Sequence, residues 1–363
     1  MTARNPRQPP VGFVEVPDFH VEIARQAEVS LRHTPVLIGG DPNKRGKVVA
    51  ASADLQERGI VSGMGLDEAL SRAPDAQWAR TDMTRARAVS GELRAAVRRE
   101  VGAIEVVGLS GFFLRAPEER DAALELANRL EAGVAERTGL PLRMGFAPAR
   151  FAAPLAAEDA GRQGATLIEE AEFERYLLAM PLERLPGVGP KTAARLAELG
   201  ATDVPSLRRL GLPRLEVLLG NHGRSLWLLA SGDDPQPLRV KEHPKTLSRE
   251  VSLDDAAAGP DGRLELEVAL CRLSEALEQS LRREGLQAGR IAVKLTTAPP
   301  ERTQTRSCSL GEPAIAATEW LDAARDLMDR LEVAASGARA RRIALVLGGL
   351  EVSGAEHTQL DLF

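Results

Sequence analysis

The chain has 363 residues, and because a single hydrophobic core rarely grows beyond about 250–300 residues, two or three domains are expected. Hydrophobic residues make up 44% and charged residues 27% of the chain, a globular balance that excludes a wholly disordered protein. The net charge of -5 excludes a uniformly cationic nucleic-acid binder, although local clusters of basic residues are compatible with it.

The N-terminal segment and the cysteines indicate the cellular compartment. Residues 1–10 are polar and proline-bearing, so they predict a disordered lead-in and no secretory signal. No run of about 18 apolar residues occurs, which predicts a chain that does not span a membrane. Cys271 and Cys308 lack the spacing of metal ligands, so we expect reduced thiols and no metal site. A cytoplasmic protein is therefore predicted.

The region 11–172 has the pattern of a mixed α/β domain. Strands are expected at 11–16, 36–39 and 47–51, and the turn residues GGDPNKRG predict a hairpin between the last two. Apolar periodicity then predicts, in order, a helix at 84–101, a strand at 104–115, a helix at 118–138, a strand at 142–147 and a helix ending at 160.

The rest of the chain divides into a helical region and a second α/β region. Short loops and helical periodicity are typical of 173–232, and the polar, proline-bearing stretch 233–245 predicts a linker. The pattern at 246–350 predicts a compact β-α-β-β-α-β unit, with strands at 246–253, 288–297, 302–309 and 341–348 and helices at 262–284 and 315–332. Residues 351–363 form a tail.

A glycine-containing turn in the helical region predicts contact with a DNA backbone. The run 185–191 has the sequence LPGVGPK. Gly187 and Gly189 allow a tight turn beside a phosphate, the free N–H groups of the following helix favour an anion, and Lys191 adds a positive charge. This pattern predicts a helix-hairpin-helix that holds DNA without reading its bases. The alternative is an ordinary turn between two helices.

Cations alternate with apolar residues along the strands of the last region. Arg290 and Lys294 occupy even positions whereas the odd positions are apolar, so both cations leave the same face of the sheet. Acidic residues lie mainly on the helices, which favours a cationic sheet face for DNA over the alternative of a merely solvated face. The cations that we predict to contact DNA here are Arg290, Lys294, Arg302, Arg306, Arg341 and Arg342.

The tail ends in two bulky apolar residues. In a polar tail their side chains would be exposed to water unless they bind in a pocket of a partner protein. Its last residues are Gln359, Leu360, Asp361, Leu362 and Phe363. They resemble the pentapeptide with which bacterial DNA-processing proteins bind the sliding clamp. The resemblance implies that Gln359 enters a polar pocket of the clamp and that the leucine and phenylalanine side chains fill an apolar pocket.

Several motifs in order resemble the Y family of translesion DNA polymerases (the UmuC/DinB superfamily). They are PVLIGGDP at 35–42, RGKVVAAS at 45–52, GIVSGM at 59–64 and RMGFAP at 143–148. The resemblance implies an α/β (α+β) multidomain fold with a right-hand architecture. It places the palm and fingers at 11–172, the helix-hairpin-helix thumb at 173–232, the linker at 233–245, the β-α-β-β-α-β little finger at 246–350 and the clamp-binding tail at 351–363.

The resemblance also implies where the catalytic carboxylates would lie. Glu15 stands at the first aspartate of the family, and Ser110 and Gly111 stand at its later Asp-Glu pair. Two Mg²⁺ ions about 4 Å apart need several clustered carboxylates, and one carboxylate cannot neutralise both. These positions predict that nucleotide incorporation is lost, that no catalytic Mg²⁺ pair is bound and that the protein is not an enzyme.

Nucleotide-binding positions can be matched in the same way. The tyrosine and arginine that hold the triphosphate in the family fall on Ala53 and Gln56, and the aromatic residue that senses the sugar falls on His20. The family's two lysines after the Ala-Pro strand fall on Arg150 and Pro154. Without the tyrosine and arginine, the charged fork that would hold a triphosphate is missing. These positions predict that no intact nucleotide site remains.

The main hypothesis from the sequence is a catalytically inactive, ImuB-like accessory protein of translesion synthesis and damage-induced mutagenesis, acting at the nucleoid or replication fork. The resemblance implies primer-template DNA and the β sliding clamp as partners, together with a RecA-like ImuA protein and an error-prone C-family polymerase. The alternative is an active or residually active error-prone polymerase that uses Glu15 with Glu105 or Asp18. A DNA-structure-binding protein without a link to replication is the third option.

Overall fold

The chain forms two compact units, 1–241 and 242–363, each described here by itself. The computed structural model describes residues 9–234, 236–240, 244–253, 260–298, 301–331 and 339–353. The lead-in before residue 9 and the tail after residue 353 lie outside the described residues. Within the described part of the chain, no helix is both long enough and apolar enough to cross a membrane.

The first unit contains eight named strands and eleven α-helices among its described residues. In chain order they are β1 (Val11–Glu15), α1 (Phe19–Ala27), β2 (Val36–Gly39), β3 (Val48–Ala51), α2 (Ala53–Glu57), α3 (Leu66–Arg72), β4 (Gln77–Arg80), α4 (Met83–Val101), β5 (Glu105–Val107), β6 (Gly111–Arg115), α5 (Arg120–Thr138), β7 (Arg143–Ala147), α6 (Ala152–Asp159), β8 (Gly164–Leu167), α7 (Glu170–Ala179), α8 (Pro190–Ala197), α9 (Val204–Leu210), α10 (Leu212–Leu219) and α11 (Asn221–Ala230).

A five-stranded central sheet has the order β5-β6-β1-β7-β8. β1 lies in the middle and pairs antiparallel with β6 and β7, whereas β8 runs parallel to β7. Because side chains alternate across a strand, β1 contributes to two cores. Val14 packs into the core that α4 and α5 form on one face, and Phe13 packs on the opposite face.

Helix α6 lies very close to β7 on that opposite face. Gly145 has no side chain there, and an added Cβ would be only 2.1 Å from the carbonyl oxygen of Ala153 and 2.2 Å from the amide nitrogen of Ala157. The alanines of α6 share one buried cluster with leucines of the helices that follow, including Leu177, Leu207 and Leu226. The helical segment α7–α11 is thus packed onto the central sheet through α6.

A smaller sheet has the order β3-β2-β4 and its own core. β2 and β3 form the predicted antiparallel hairpin, and β4 pairs with β2 in parallel. Leu37, Val48, Leu55, Ile60 and Leu66 are fully or almost fully buried in one cluster beneath the sheet. The strands β3 and β4 therefore lie on opposite edges of this three-stranded sheet.

The second unit has the predicted order of elements, β-α-β-β-α-β. They are β9 (Thr246–Ser252), α12 (Pro260–Glu284), β10 (Leu286–Ala298), β11 (Arg302–Ala314), α13 (Ala317–Asp329) and β12 (Arg339–Val352). The antiparallel sheet, called here the terminal sheet, has the order β11-β10-β12-β9. Ile291, Leu345, Leu277 and Trp320 are buried between one face of this sheet and the two helices.

The structure corrects the strand predicted at 104–115. The segment is a hairpin in which β5 pairs antiparallel with β6. Gly108 lies in the turn at φ +62°, a left-handed conformation that glycine adopts without steric cost. The apolar residues on both sides of this turn look continuous in the sequence, so the pattern cannot show where the chain reverses.

Candidate functional site

The carboxylate of Glu15 lies at the end of the central strand and is paired with an arginine. In the sheet register, Glu15 stands opposite Gly111 of β6 and Arg143 of β7. Its Oε1 accepts a hydrogen bond from Arg143 Nε at 2.9 Å and forms an ion pair with Nη2 at 2.7 Å. Both side chains are a little over one-fifth exposed. Arg143 therefore neutralises the acidic side chain that the family resemblance places at the first catalytic position.

The position opposite Glu15 lies in close contact with an aromatic ring. A Cβ on Gly111 would lie 3.0 Å from Cζ of Phe13, and the ring of Phe13 itself packs at 4.7 Å, between centroids, against the ring of Phe113. The neighbouring Ser110 accepts a hydrogen bond at its carbonyl from the amide of Val16. The structure therefore brings Glu15, Ser110 and Gly111 together, with aromatic rings filling the space beside them.

The three predicted nucleotide-binding positions lie on two helices, α1 and α2. Gln56 donates hydrogen bonds to Asp18 Oδ1 and to the carbonyl of Ala51, both at 2.7 Å, and Ala53 is the first residue of α2. His20 is half-buried in α1, and burial lowers the pKa of its imidazole. It lines a different cleft, between α1 and β4.

Glu105 and Arg150 contact Gln236 and Arg239, which belong to the stretch 233–245 that the sequence predicts to be a linker. Arg150 Nη2 contacts Glu105 Oε1 at 2.5 Å, and its guanidinium lies 4.0 Å from the ring centroid of Phe113. The other carboxylate oxygen of Glu105 accepts a hydrogen bond from the amide of Arg239 at 2.7 Å. Gln236 accepts one from Arg150 at 3.1 Å. This part of the linker is therefore attached to the central sheet.

We expect Arg150→Ala to release the segment 234–239 without unfolding the sheet. A hydrogen bond to a charged group contributes about 1.5 kcal/mol, so the released segment should be cleaved by a protease about tenfold faster. The measurement is limited proteolysis, read as the cleavage rate between 234 and 240. Arg175→Ala is the matched control, because Arg175 is 81% exposed and pairs only with its helix neighbour Glu172 among the described residues. Equal cleavage rates in the two variants would contradict the attachment.

The helix-hairpin-helix turn has the geometry that its sequence predicts. Gly187 adopts φ +92°, and a Cβ there would lie 2.7 Å from Cε1 of His222, so the turn needs glycine. Gly189 is the N-cap of α8, Pro190 is its first residue, and no side chain caps the helix. The free N–H groups of the first turn and the exposed Lys191 point to an anion-binding turn.

The terminal sheet separates its cations onto two faces, which corrects the prediction of one cationic face. Register pairs place Arg290, Lys294 and Arg342 on the face that α12 and α13 leave open. Arg306 instead stands opposite Val293, which is fully buried against the helices. The reason is that strand register, which the sequence does not show, decides which residues of neighbouring strands share a face. Arg302 likewise stands opposite the buried Thr297, whereas Arg341 lies at an irregularity between the pairs Thr296–Arg342 and Thr297–Ala340.

Hydroxyl groups surround the cations of this open face. Arg290 donates a hydrogen bond to Ser307 Oγ at 2.9 Å, and register pairs place on the same face Thr246, Ser248, Ser252, Thr303, Thr305 and Ser309. Guanidinium, ammonium and hydroxyl groups are the donors that bind phosphate oxygens. The open face therefore has the chemistry of a DNA-backbone surface, although Glu250 adds one carboxylate to it.

Two family models match most of the chain. They are the impB/mucB/samB family over residues 14–158 and the C-terminal domain of the impB/mucB/samB family over residues 244–362. A DNA polymerase IV from Alkalilimnicola ehrlichii is 30% identical over 84% of this chain and 86% of its own length. A DNA polymerase IV from Caulobacter vibrioides is 30% identical over 88% of this chain and 78% of its own length.

Solved structures confirm the predicted fold class. DinB from Sulfolobus solfataricus superposes with a TM-score of 0.66 at 20% identity, covering 95% of this chain and 99% of that one. An insertion ternary complex of Dbh DNA polymerase superposes with a TM-score of 0.64 at 20% identity, covering 93% and 98% of the two chains. At this level of identity, the likeness establishes the fold.

The relatives contradict two of the predictions made from the sequence. The prediction that the chain is not an enzyme is wrong, because relatives that match most of it are named DNA polymerase IV. The prediction that no Mg²⁺ is used is wrong for the same reason, since nucleotidyl transfer by such polymerases depends on this ion. The loss of two acidic positions in a motif is therefore insufficient to exclude the activity.

The described donors nevertheless do not fit a pair of metal ions. Glu15 is held by Arg143 and Glu105 by Arg150, and Asp18 accepts from Gln56. Among the residues that the structure describes, no three His, Cys, Asp or Glu side chains form a group that could hold a metal ion.

Proposed function

The chain belongs to the impB/mucB/samB family, the UmuC/DinB or Y family of translesion DNA polymerases, and from that premise we propose that it binds primer-template DNA and extends the primer across damaged template positions. The observation that carries this proposal is the 30% identity to a DNA polymerase IV over 84% of the chain. In the proposal, the palm and fingers are residues 11–172, the thumb 173–232 and the little finger 246–350.

Two surfaces support binding to the DNA backbone. The turn at Gly187 and Gly189 offers free N–H groups at the start of α8, and the open face of the terminal sheet offers Arg290, Lys294 and Arg342 among hydroxyl groups. Binding that depends on phosphates rather than on sequence suits a polymerase, which must accept any template.

Glu15 is the acidic residue that we assign to the polymerase site. Its pair with Arg143 is partly solvated, and a pair of that kind contributes about 1 kcal/mol or less. The pair can therefore open at low cost when DNA and nucleotide are bound. In the described part of the chain, Oε2 of Glu15 has no hydrogen-bond partner, so one carboxylate oxygen is available even with Arg143 in place.

Primer extension by the purified full chain tests the proposal. A labelled primer on a template with or without a lesion is incubated with deoxynucleotides and either Mg²⁺ or Mn²⁺. We expect the primer to lengthen with both templates. Tight binding of the primer-template without any extension would remove the polymerase activity from the proposal, and absence of binding would remove the proposal as a whole.

A charge reversal on the open face is expected to weaken DNA binding and to flatten its salt dependence. Because each phosphate contact contributes about 0.9 to the slope of log K against log salt concentration, Arg290→Glu with Lys294→Glu should reduce the slope by about 2. The measurement is fluorescence anisotropy of labelled DNA at several salt concentrations. Arg302→Glu with Arg306→Glu is the matched control from the other face and should change the slope less. The reverse ranking would contradict the assignment of the faces.

We further propose that the tail binds the β sliding clamp through Gln359, Leu360, Asp361, Leu362 and Phe363. The support is the sequence of this segment, which is complete for the clamp-binding pattern. Deletion of 359–363 should abolish binding to the clamp, measured by surface plasmon resonance, while DNA binding is retained. Glu356→Ala, just before the segment, is the control and should bind normally. An unchanged affinity after the deletion would contradict the clamp proposal.

Surface plasmon resonance also tests the two other partners that the resemblance implies, a RecA-like ImuA protein and a C-family polymerase. Each partner is passed over the full chain and over the chain without residues 359–363. We expect each to bind both chains, because the clamp occupies that segment in the proposal. Binding that disappears with the tail would instead place them in competition with the clamp.

A further inference from the structure

The cleft that His20 lines is not part of the two surfaces proposed above to bind the DNA backbone. It lies between α1, β2, β4 and the start of α4 and has a volume of about 360 Å³, within the range of about 300–1,000 Å³ that is usual for small-ligand sites. Its floor is apolar and includes Ile23, Leu31 and Ile38. Such a floor can receive a flat apolar group.

An aromatic side chain forms one wall of this cleft. Trp78 of β4 lines it and is 39% exposed, although it is the largest side chain among the exposed apolar residues that the structure describes. The other two tryptophans are better covered, because Trp320 is fully buried and Trp227 packs against the core of the helical segment. An indole left open beside an apolar floor is a stacking surface.

Two arginines of the cleft have guanidinium groups that can bind an anion. Arg80 and Arg85 line it and are exposed, and in the described part of the chain neither guanidinium has a hydrogen-bond or ion-pair partner. The lining also holds two carboxylates, which accept hydrogen bonds from neutral groups: Asp82 from the amide of Arg85 and Glu28 from the hydroxyl of Ser30. His20 adds no positive charge at neutral pH, because burial lowers its pKa.

The cleft includes one of the three positions that hold a nucleotide in the family resemblance. That position is His20, whereas Ala53 and Gln56 belong to α2, which follows β3. Trp78 lies at β4, on the opposite edge of the three-stranded sheet from β3. A ligand on Trp78 would therefore lie at the sheet edge opposite to Ala53 and Gln56.

We propose that this cleft binds one unpaired nucleotide of single-stranded DNA, with its base stacked on Trp78 and its phosphates paired with Arg80 and Arg85. An aromatic surface and neighbouring arginines are the combination with which proteins hold single strands regardless of sequence. A base inside a duplex is already stacked on both sides, so only an unpaired base can enter. The proposal rests on the proposed function, because a primer-template supplies such a base in its unpaired template strand.

Binding of two DNAs by the full chain tests the proposal. One is a primer-template with a single-stranded 5′ template overhang, and the other is the same duplex with blunt ends. We expect Trp78→Ala to weaken binding of the overhang DNA about tenfold, as is typical for loss of one base-aromatic stack, and to leave the blunt duplex unaffected. Trp227→Phe is the control variant and should bind both DNAs as the unchanged protein does.

The contribution of Arg85 is tested against a neighbouring arginine of the same helix. Arg85→Gln should weaken binding of the overhang DNA. Arg87→Gln, two residues further along α4 and outside the lining, should leave that binding unchanged. Quenching of tryptophan fluorescence by an oligothymidine strand gives a second readout. It should be lost in Trp78→Ala and retained in Trp227→Phe.

The outcomes separate this proposal from the function on which it rests. Equal binding of overhang and blunt DNA, with no effect of Trp78→Ala, would overturn the cleft proposal while duplex binding still supports the proposed function. Loss of all DNA binding in the unchanged protein would overturn both. If Trp78→Ala instead abolished self-association of the chain in light scattering and left DNA binding intact, the cleft would be a protein contact, and the proposal would be wrong.

Discussion

Gly145→Ala is expected to unfold the first unit or to leave it insoluble. The new methyl group would lie 2.1 Å from the carbonyl oxygen of Ala153 and 2.2 Å from the amide nitrogen of Ala157. Both atoms belong to the backbone of α6, so no side-chain rotation can relieve the contact, and the helix would have to move off the sheet. Because α6 links the central sheet to the helical segment through one shared core, the cost should reach about 3 kcal/mol or more.

Thermal unfolding followed by circular dichroism measures this effect, and Gly133→Ala is the matched control. Gly133 lies within α5, and the nearest atom to its added Cβ is Glu100 Oε1 at 3.9 Å. Alanine is the better helix former by about 0.5–1 kcal/mol, so this variant should be slightly more stable than the unchanged protein. Two variants that melt at the same temperature would contradict the close packing of α6 on β7.

Glu15→Gln is expected to abolish primer extension while leaving DNA binding intact. The substitution keeps the shape of the side chain but removes the negative charge at the end of β1, where Gly111 on the neighbouring strand provides no side chain to replace it. Loss of a positioned catalytic carboxylate typically lowers the rate by about a hundredfold or more. The rate of single-nucleotide incorporation on a primer-template is the measurement.

Glu131→Gln is the control for that experiment. Glu131 belongs to α5, which covers the other face of the central sheet, and its carboxylate accepts a hydrogen bond from Gln163. The variant should extend primers at the rate of the unchanged protein. Extension that survives Glu15→Gln would show that another carboxylate acts in its place, and the assignment of Glu15 would be wrong.

The elements with strong periodicity could be predicted well from the sequence. The helix at Met83–Val101 and the strand at Val11–Glu15 were expected within one residue of their observed bounds. The helix-hairpin-helix turn was equally clear, because Gly187 and Gly189 have a local steric reason that needs no distant partner. The short strands β4 and β8 were missed, since four residues carry too little periodicity and β4 is largely exposed.

The candidate site was only partly predictable. Glu15, Ser110 and Gly111 were expected to lie together, and they do, because Gly111 pairs with Glu15 in the register of β1 and β6 and the carbonyl of Ser110 accepts from the amide of Val16. That Arg143 neutralises Glu15 was not expected, since 128 residues separate them. The pairing of Arg150 with Glu105 was not expected either, since 45 residues separate them. Their pairing with the linker segment explains why a stretch with the composition of a free linker is attached to the sheet.

The sequence by itself determined the family, the order of the elements and the residue types available for DNA binding, because these follow from local periodicity and from motifs of a few residues. Only the tertiary structure decided which charges meet. Strand register places Arg290 and Lys294 on the open face and Arg306 on the other, and chain folding pairs Glu15 with Arg143. Such contacts depend on distances between residues far apart in the chain, which a net charge of -5 does not reveal.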